Sequence, residues 1–323
     1  MANIREVAKR AGVGVGTVSR MLNNTGYVSE ETRRKITEAI RETAYVPAKP
    51  KARNDKKTGL IGVMIPDIEH PFFARMMRCL DEELTRFGYK SVLCNTINIV
   101  NRQVEMIEML ESFALDGLIA CGDPPPGFQG RKGRPIVSLD RFWHEEVPVV
   151  RSDHQLGGSL AAEAFLKGNC RRIIQFLGGS DYADSANQRH KTAEKILTEN
   201  GCDVVSVFMQ WDALSYSYNK RIVEKYWEVI RKADGCFTND IGALSCLSVA
   251  QKMGLRVPED FKIIACDGTE LTRVITPELT TLQQDCQALA KKSVELVMEM
   301  IRGEEPLQTF YEIPIRLLER GTT

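Results

Sequence analysis

Two groups of polar side chains in this sequence have types and spacing suited to recognition. The first is Thr17, Ser19 and Arg20, which follow the glycine-rich run 12–16. Hydroxyl groups can bond to phosphates or base edges, and an arginine can pair with both acceptors of a guanine edge. The second group follows apolar, strand-like runs and comprises Asp67, Asp123, Asp140, Arg141, Asp153, Asn239, Asp240, Asp267 and Gln284. Facing one cleft, these residues would form a site of paired donors and acceptors for a polyhydroxylated ligand.

The first group requires a helix that presents it to solvent, and residues 4–23 read as two short helices. Apolar residues recur at helical spacing in the first, and Gly12 ends it in the left-handed backbone that glycine favours. A third helix starts after its cap, Ser29. The apolar faces comprise Ile4, Val7, Ala8, Ala11, Val18, Met21, Leu22, Ile36, Ala39 and Ile40. The pattern predicts a helix-turn-helix whose second helix enters the DNA major groove.

The second group requires parallel strands whose carboxyl ends share one edge. From residue 60, short apolar runs alternate with helical patterns, which is typical of doubly wound parallel sheets with a cleft at the strand ends. The expected strands form two sets: 60–68, 89–96, 116–122, 135–141 and 147–153, then 172–179, 204–210, 234–240, 261–268 and 279–285. We therefore predict a two-lobed body. Asp153 and Asp240 are expected to cap the helices that follow them.

Charge divides the chain in the same way. Residues 1–58 contain 13 Lys and Arg against 6 Asp and Glu, so the remainder carries the opposite excess within a net charge of +0. A basic head on an acidic body fits a head that binds a polyanion. Residues 48–58 are polar and Lys-rich, as in a linker.

Several other classes of protein lack support in the sequence. None of the nine cysteines lies in a C-x-x-C pair, so we expect buried, reduced thiols, no metal and no cofactor. The run 12–16 follows a helix, whereas a dinucleotide loop follows a strand. The body contains no Walker loop, dinucleotide fingerprint or nucleophile elbow. With no secretory leader and no membrane-spanning apolar run, we expect a cytoplasmic protein.

The head resembles the lactose/galactose repressor family. The resemblance is carried by VAKRAGVGVGTVSRMLN, VSEETRRKITEAI and the Tyr-Val-Pro at 45–47. It implies a three-helix DNA-binding head over 1–47 and a hinge over 48–58. Two features differ from the family: Gly14 replaces the usual Ser or Thr cap, and the base-reading positions hold Val15 and Gly16. The DNA-contacting residues it implies are Val15, Gly16, Thr17, Ser19, Arg20, Asn23, Ser29, Thr32, Arg33, Lys49, Lys51 and Arg53.

Residues 59–320 resemble the effector domain of that family, which is itself similar to periplasmic sugar-binding proteins. IPDIEHPFFARM, IVSLDR, VRSDHQLGG, CFTNDIGAL, IIACDGTEL and LTTLQQD carry the resemblance. It implies lobe one over about 59–154 and 287–308, and lobe two over about 155–286 and 309–323. The implied effector-binding residues are Phe72, Phe73, Arg141, Arg189, Trp211, Asn239, Asp267 and Gln284. One of the two phenylalanines is expected to belong to the hydrophobic core. His70 stands where many relatives have Asn, and Thr192-Ala193 replaces the usual Gly-Phe after the arginine.

The resemblance implies a homodimer that binds a palindromic DNA operator under the control of a sugar or sugar-phosphate effector. The segments 68–77, 83–96 and 135–141 are most similar to sucrose and ribose repressors. Three alternatives stay open at this point. They are a catabolite control regulator that docks a protein co-effector, an enzyme on a Rossmann-like body, and a transport-type binding protein. Whether the effector releases DNA or promotes DNA binding depends on which of the two lobe arrangements the effector prefers.

Overall fold

The computed structural model describes residues 4–23, 28–43, 45, 57–97, 101–130, 133–179, 185–210 and 214–323. The chain separates into two compact units, Met1–Lys56, here called the head, and Lys57–Thr323, here called the body. Most of the predicted hinge lies outside the described residues.

The head contains three helices, as predicted: α1 Ile4–Ala11, α2 Val15–Asn23 and α3 Glu30–Thr43. Val7, Ala8, Val18 and Ile36 form its buried centre, so the apolar faces read from the sequence do meet. The turn after α1 contains Gly12 at a φ of +66°, which is a left-handed conformation that glycine adopts without strain.

Lobe one of the body is built on a six-stranded sheet in the order β11-β5-β4-β3-β1-β2, and every pairing is parallel. The strands are β1 Leu60–Ile65, β2 Lys90–Asn95, β3 Gly117–Cys121, β4 Ile136–Leu139, β5 Val149–Ser152 and β11 Phe310–Ile313. Its helices are α4 Pro71–Arg86, α5 Arg102–Glu111 and α11 Cys286–Ile301. The central strands are almost continuously buried because helices cover the sheet.

Lobe two has a second six-stranded sheet in the order β12-β10-β9-β8-β6-β7, parallel except for β12. Its strands are β6 Arg172–Gly178, β7 Asp203–Met209, β8 Gly235–Phe237, β9 Lys262–Asp267, β10 Thr280–Gln283 and β12 Arg316–Leu318. Its helices are α6 His154–Lys167, α7 Gln188–Glu199, α8 Tyr216–Lys225, the single turn α9 Trp227–Ile230, and α10 Asp240–Lys252. The predicted two-lobed α/β body with doubly wound parallel sheets is confirmed.

The chain crosses between the lobes after β5, after β10 and after β11. The prediction placed the last crossing at residue 309, and this is wrong because Phe310–Ile313 pairs in register with β5 of lobe one. The crossing lies between Ile313 and Arg316, where β12 begins to pair with β10. The prediction missed both terminal strands.

All nine cysteines are buried free thiols, as expected from their positions in apolar runs. Within the described ranges, no helix combines the length and the apolar character needed to cross a membrane.

Candidate functional site

A cavity of about 140 Å³ lies in the body where the strand ends of the two lobes face each other. Seven of the eight predicted effector-binding residues line it: Phe72, Phe73, Arg141, Arg189, Asn239, Asp267 and Gln284. The eighth, Trp211, lies outside the described residues. The cavity is therefore the place where the two predicted sets of strand ends come together.

The first turn of α4 supplies an aromatic wall to the cavity. Pro71 occupies the start of this helix, where its missing N–H costs nothing. Phe72 is 9% exposed and belongs to the lobe-one core, while Phe73 packs partly buried against it. The two rings meet edge to face with centroids 5.3 Å apart. As expected, one of the pair is a core residue, and the ring of Phe73 is the more accessible of the two.

Lobe one contributes charged groups just beyond β4. The Arg141 guanidinium is mostly buried and its Nε lies 3.6 Å from Asp123 Oδ1. The neighbouring Asp140 has a left-handed backbone, with a φ of +61°. Its Oδ1 lies 3.1 Å from His154 Nε2. Burial acts to raise the pKa of Asp140, but His154, Arg189 and Arg141 outweigh it and lower the pKa below its usual value. Asp140 is thus an ionised acceptor beside the predicted Arg141.

A chain of side-chain hydrogen bonds joins the two lobes at the cavity. Ser152 Oγ, at the end of β5, donates to Gln284 Oε1 at 2.7 Å. Gln284 Nε2 in turn donates to Asp267 Oδ1 at 2.9 Å, at the end of β9. All three residues are buried. Because these hydrogen bonds link the two sheets, a ligand that contacts Asp267 or Gln284 also contacts the connection between the lobes.

The structure places Arg189 in the cavity wall, although its sequence context departs from the family. It lies on α7, is 9% exposed, and its Nη1 is 3.5 Å from His154 Nδ1. Gly158 on α6 permits this position, because a Cβ there would collide with the Arg189 carbonyl oxygen. Thr192 lies across the same contact, 2.8 Å from where that Cβ would be. The glycine in α6 therefore sets how closely α7 approaches the cavity.

The expected cap of α10 is wrong by one residue. Asn239, predicted to bind effector, uses its Oδ1 to accept from Gly242 N at 2.7 Å and so caps the helix, although it also lines the cavity. Asp240 instead accepts from Thr269 N, Thr269 Oγ1 and Thr281 Oγ1. Asp153 does cap α6, as expected, by accepting from Leu156 N at 2.9 Å.

Asp240 gives the body a pH-dependent contribution to stability. Burial raises its pKa to about 7, and the charge of Asp267 adds to the rise. A carboxyl whose folded pKa lies above its unfolded value contributes stability that is complete below about pH 4 and lost as pH rises through about 7. The Asp240→Asn variant cannot ionise at this position. As pH rises from about 5 to about 8, its free energy of unfolding should therefore increase by roughly 2 kcal/mol relative to that of wild type.

Urea unfolding of both proteins across this pH range measures the difference. Asp260→Asn is the matched control, because the hydrogen bond from Arg256 lowers the pKa of the exposed Asp260 to about 2 and keeps it ionised throughout. If the stability curves of wild type and Asp240→Asn run parallel, Asp240 does not titrate in the folded body.

Two polar residues that line the cavity, Asn187 and His70, were not predicted as site residues. Asn187 precedes α7 and its Nδ2 donates to Gly178 O. His70 was noted only as a departure from relatives, and it lines the cavity with 6% of its surface exposed. Neither directly follows a strand, so the strand-end rule does not find them. The position of His70 beside the Phe72–Phe73 pair was the available signal.

In the head, α2 exposes the side that was predicted to contact DNA. Val15 is 40% exposed, and Gly16 and Arg20 are also exposed. Arg20 Nε donates to its own helix at Gly16 O at 3.3 Å, a long bond that a base could replace. Thr17 and Ser19 are partly buried.

The start of α3 carries the remaining described candidates of the head. Ser29 Oγ accepts from Thr32 N at 3.4 Å, so Ser29 caps α3 as predicted. Arg33 Nε donates to Val28 O at 3.3 Å. The side chain of Asn23, together with Lys49, Lys51 and Arg53, lies outside the described residues.

Comparison with known proteins matches both units. Residues 3–48 match the family described as bacterial regulatory proteins, lacI family, and residues 162–323 match the periplasmic binding protein-like domain. The chain is 33% identical to a ribose operon repressor of Halalkalibacterium halodurans, over 100% of this chain and 97% of that protein. It is 32% identical to a sucrose operon repressor of Pediococcus pentosaceus, over 99% and 98%.

Among solved structures, a periplasmic binding protein/LacI transcriptional regulator from Alkaliphilus metalliredigens, complexed with D-xylulofuranose, superimposes with a TM-score of 0.74. The two chains are 26% identical, and the match covers 82% of this chain and 99% of that one.

Proposed function

Since this chain belongs to the lacI family of bacterial regulatory proteins, we propose that it is a DNA-binding repressor of sugar-utilisation genes, controlled by a small sugar bound between its lobes. The observation that carries this proposal is the presence, on one chain, of an exposed recognition helix and of a cavity with an aromatic wall and several charged and amide side chains. A repressor needs both, because its affinity for DNA must depend on a second ligand.

The DNA ligand we propose is a palindromic operator bound by a homodimer in the cytoplasm. A helix-turn-helix head covers one half-site, so two symmetry-related heads are needed for both halves. Val15 offers an apolar contact suited to the methyl group of thymine, and Arg20 offers a contact suited to guanine. Selection of binding sequences from a random DNA library with the full-length protein, together with sedimentation analysis, tests this part. Binding with no sequence preference would contradict it.

The effector we propose is a single sugar ring. Each water-sized position occupies roughly 10–15 Å³. A cavity of about 140 Å³ therefore offers on the order of ten such positions, which suits a pentose or a hexose. Phe73 would stack on the ring, while Arg141, Asp267 and Gln284 would bind its hydroxyl groups. Two relatives are named for ribose and sucrose operons, and one similar structure contains D-xylulofuranose. These similarities favour a pentose or a fructose-like ring as the effector.

Control of DNA binding would follow from the Ser152–Gln284–Asp267 connection. A ligand that binds more tightly to one lobe arrangement shifts the population towards it. Gel-shift titration of the selected operator with D-ribose, D-fructose and sucrose tests this coupling. Operator affinity that is unchanged at saturating sugar would contradict it. We propose that the protein is not an enzyme. Turnover of any of these sugars or of a nucleotide would contradict this.

We also propose that the hinge binds DNA as a basic arm. Members of the resembled family usually carry an Ala-Arg-x-Leu segment whose leucines kink the minor groove, whereas Ala52-Arg53 is followed here by Asn54-Asp55. Without an apolar wedge, we expect little bending and a steep salt dependence, and an Asn54→Leu variant should bend the operator more. Circular-permutation gel shifts measure the bend. A large wild-type bend that Asn54→Leu leaves unchanged would exclude the idea.

A further inference from the structure

A hydrogen bond outside the cavity joins the helix that carries its aromatic wall to the turn that carries Asp267. Arg75, on α4 of lobe one, donates from Nη1 to the backbone carbonyl oxygen of Gly268 at 3.1 Å. Gly268 directly follows Asp267 at the end of β9 in lobe two. The two bonded residues are 193 positions apart in the chain, so this bond exists only when the two lobes are suitably arranged.

In lobe one, Arg75 is fixed to the aromatic wall. It lies one turn after Phe72 and directly before Met76, and both of these side chains are buried in the lobe-one core. Phe73, whose ring we propose stacks on the sugar, belongs to the same turn of α4. A movement of α4 relative to lobe two therefore moves Arg75 and the stacking ring together.

In lobe two, the turn that contains Gly268 is held by hydrogen bonds within its own lobe. The backbone N–H of Gly268 donates to Thr281 Oγ1 at 3.2 Å. The backbone N–H of the next residue, Thr269, donates to Asp240 Oδ2 at 2.7 Å. The carbonyl oxygen of Gly268 is directed at lobe one instead, where Arg75 binds it. The acceptor is thus fixed relative to the carboxylate that precedes it in the chain.

A bond of this kind is sensitive to movement between the lobes. Hydrogen bonds from N–H to oxygen are roughly 2.7–3.2 Å long, so a separation of the two lobes by about 1 Å at this point would break it. A charged donor makes such a bond stronger than one between uncharged groups. The bond therefore favours the lobe arrangement in which it forms over arrangements in which α4 and the end of β9 lie further apart.

We propose that Arg75 is a positioning residue that holds the two lobes in the arrangement that binds the effector. It acts through Gly268, by fixing the distance between the ring of Phe73 and the carboxylate of Asp267. Arg75 itself is not among the described residues that line the cavity. This inference rests on the proposed function and concerns its regulation: the bond stabilises the sugar-binding arrangement, and the sugar in turn stabilises the bond.

Arg78 provides a matched control for this inference. It lies one turn further along α4, and both arginines line the same groove between α4 and residues 269–271. Arg78 Nη1 lies 3.6 Å from Glu82 Oε1 of its own helix, whereas Arg75 binds to lobe two. Replacement of either arginine removes one positive charge from the groove, but replacement of Arg75 also removes the hydrogen bond between the lobes.

Calorimetry on the full-length chain, with D-ribose, D-fructose and sucrose as probes, measures the contribution of this bond. In Arg75→Ala we expect the affinity for the sugar that binds wild type to fall about three- to tenfold, because the sugar must then stabilise the arrangement without the bond. Arg78→Ala should bind the sugar as wild type does. Arg75→Lys should recover part of the loss, since an ammonium group keeps the charge and can also donate.

Gel-shift titration of the selected operator separates positioning from a structural role. In Arg75→Ala, the sugar concentration that produces half of the change in operator affinity should rise by a factor similar to that in the calorimetric dissociation constant. Operator affinity at saturating sugar should equal that of wild type, because bound sugar restores the arrangement. Thermal unfolding of the sugar-free variant should lie within a few degrees of wild type. A merely structural role would instead lower the unfolding temperature and alter operator binding at every sugar concentration.

Equal sugar affinity in Arg75→Ala and wild type would overturn the inference, as would an equal loss of affinity in Arg78→Ala. In either case the proposed function would stand, because the wild type would still bind the sugar. Failure of all three sugars to bind the wild type would overturn both the inference and the effector half of the proposed function. Operator selection with the same preparation would test the DNA-binding half separately.

Discussion

Replacement of Asp267 by asparagine is expected to weaken the effector's control of operator binding, while operator binding without effector persists. Asp267 is buried at the end of β9, where its carboxylate is available to accept from sugar hydroxyl groups beside Gln284. Asparagine keeps an oxygen for the bond from Gln284 but loses the negative charge. Hydrogen bonds to charged groups contribute about 1.5–3 kcal/mol, so we expect sugar affinity to fall on the order of 10–100-fold.

Asparagine is a better test than alanine at this position. The φ of Asp267 is +125°, a region that L side chains rarely adopt, so alanine would combine backbone effects with loss of the carboxylate. Calorimetry with the sugar that binds wild type, together with a gel shift of the operator, measures both properties. Asp260→Asn is the control: Asp260 is exposed, is paired with Arg256 and does not line the cavity, so this variant should behave as wild type. Wild-type sugar affinity in Asp267→Asn would remove Asp267 from the site.

The same carboxylate should make sugar binding depend on pH. Burial raises the pKa of Asp267 to about 6, although Arg189 and the hydrogen bond from Gln284 act against the rise. If the ionised form binds the sugar, affinity falls as pH drops through about 6, because protonation then has to be reversed on binding. The charge of Asp140 also raises the pKa of Asp267, and Asp240 has a pKa of about 7. The informative quantity is therefore the difference in sugar affinity between wild type and Asp267→Asn at each pH. That difference should shrink as pH falls.

The sequence predicted cavity residues that obey a simple geometric rule. Arg141, Asp267 and Gln284 follow strands, and the carboxyl ends of parallel strands share one edge of a sheet. Arg189 lies on a helix, so only the family resemblance indicated it. Its final position depends on the close contact of α7 with Gly158, which involves residues 31 positions apart in the chain.

The connections between the lobes could not be predicted. Ser152 and Gln284 are 132 residues apart, and their hydrogen bond exists only because two separately built sheets face each other. The cap of α10 shows a related limit. Asn239 and Asp240 both suit a helix cap. Thr269 and Thr281, distant in sequence, decide between them by bonding to Asp240.

The missed strands have a local cause. In β11 the residues alternate between exposed and partly buried, without the apolar run that identified the central strands. It is the edge strand of its sheet, so one side has no neighbour that would require burial. Register with β5, rather than composition, makes it a strand, and this is why the predicted lobe boundary at 309 was placed too early.

In the head, Arg20→Ala and Arg33→Ala are expected to alter DNA binding in different ways. Arg20 is exposed on α2, where a guanidinium can contact a guanine edge, a contact contributing about 1–3 kcal/mol of discrimination. Its loss should relax the preference at one symmetric base pair of the selected operator. Arg33 lies at the start of α3, and we propose that it contacts a phosphate of the DNA backbone. Its loss should weaken binding to all sequences alike and reduce the salt slope by about 1.

The two variants differ in their structural risk, and the comparison has to account for it. Arg33 also donates to Val28 O, so its replacement removes a bond that holds the entry to α3. The Arg20 side chain bonds only weakly to its own helix at Gly16 O. Thermal unfolding of both variants shows whether Arg33→Ala loosens the head, and Arg33→Lys, which keeps the charge, should restore most of the salt slope. Selection from a random operator library then measures specificity. An unchanged consensus with Arg20→Ala, or a changed one with Arg33→Ala, would show that the roles assigned to these two arginines are wrong.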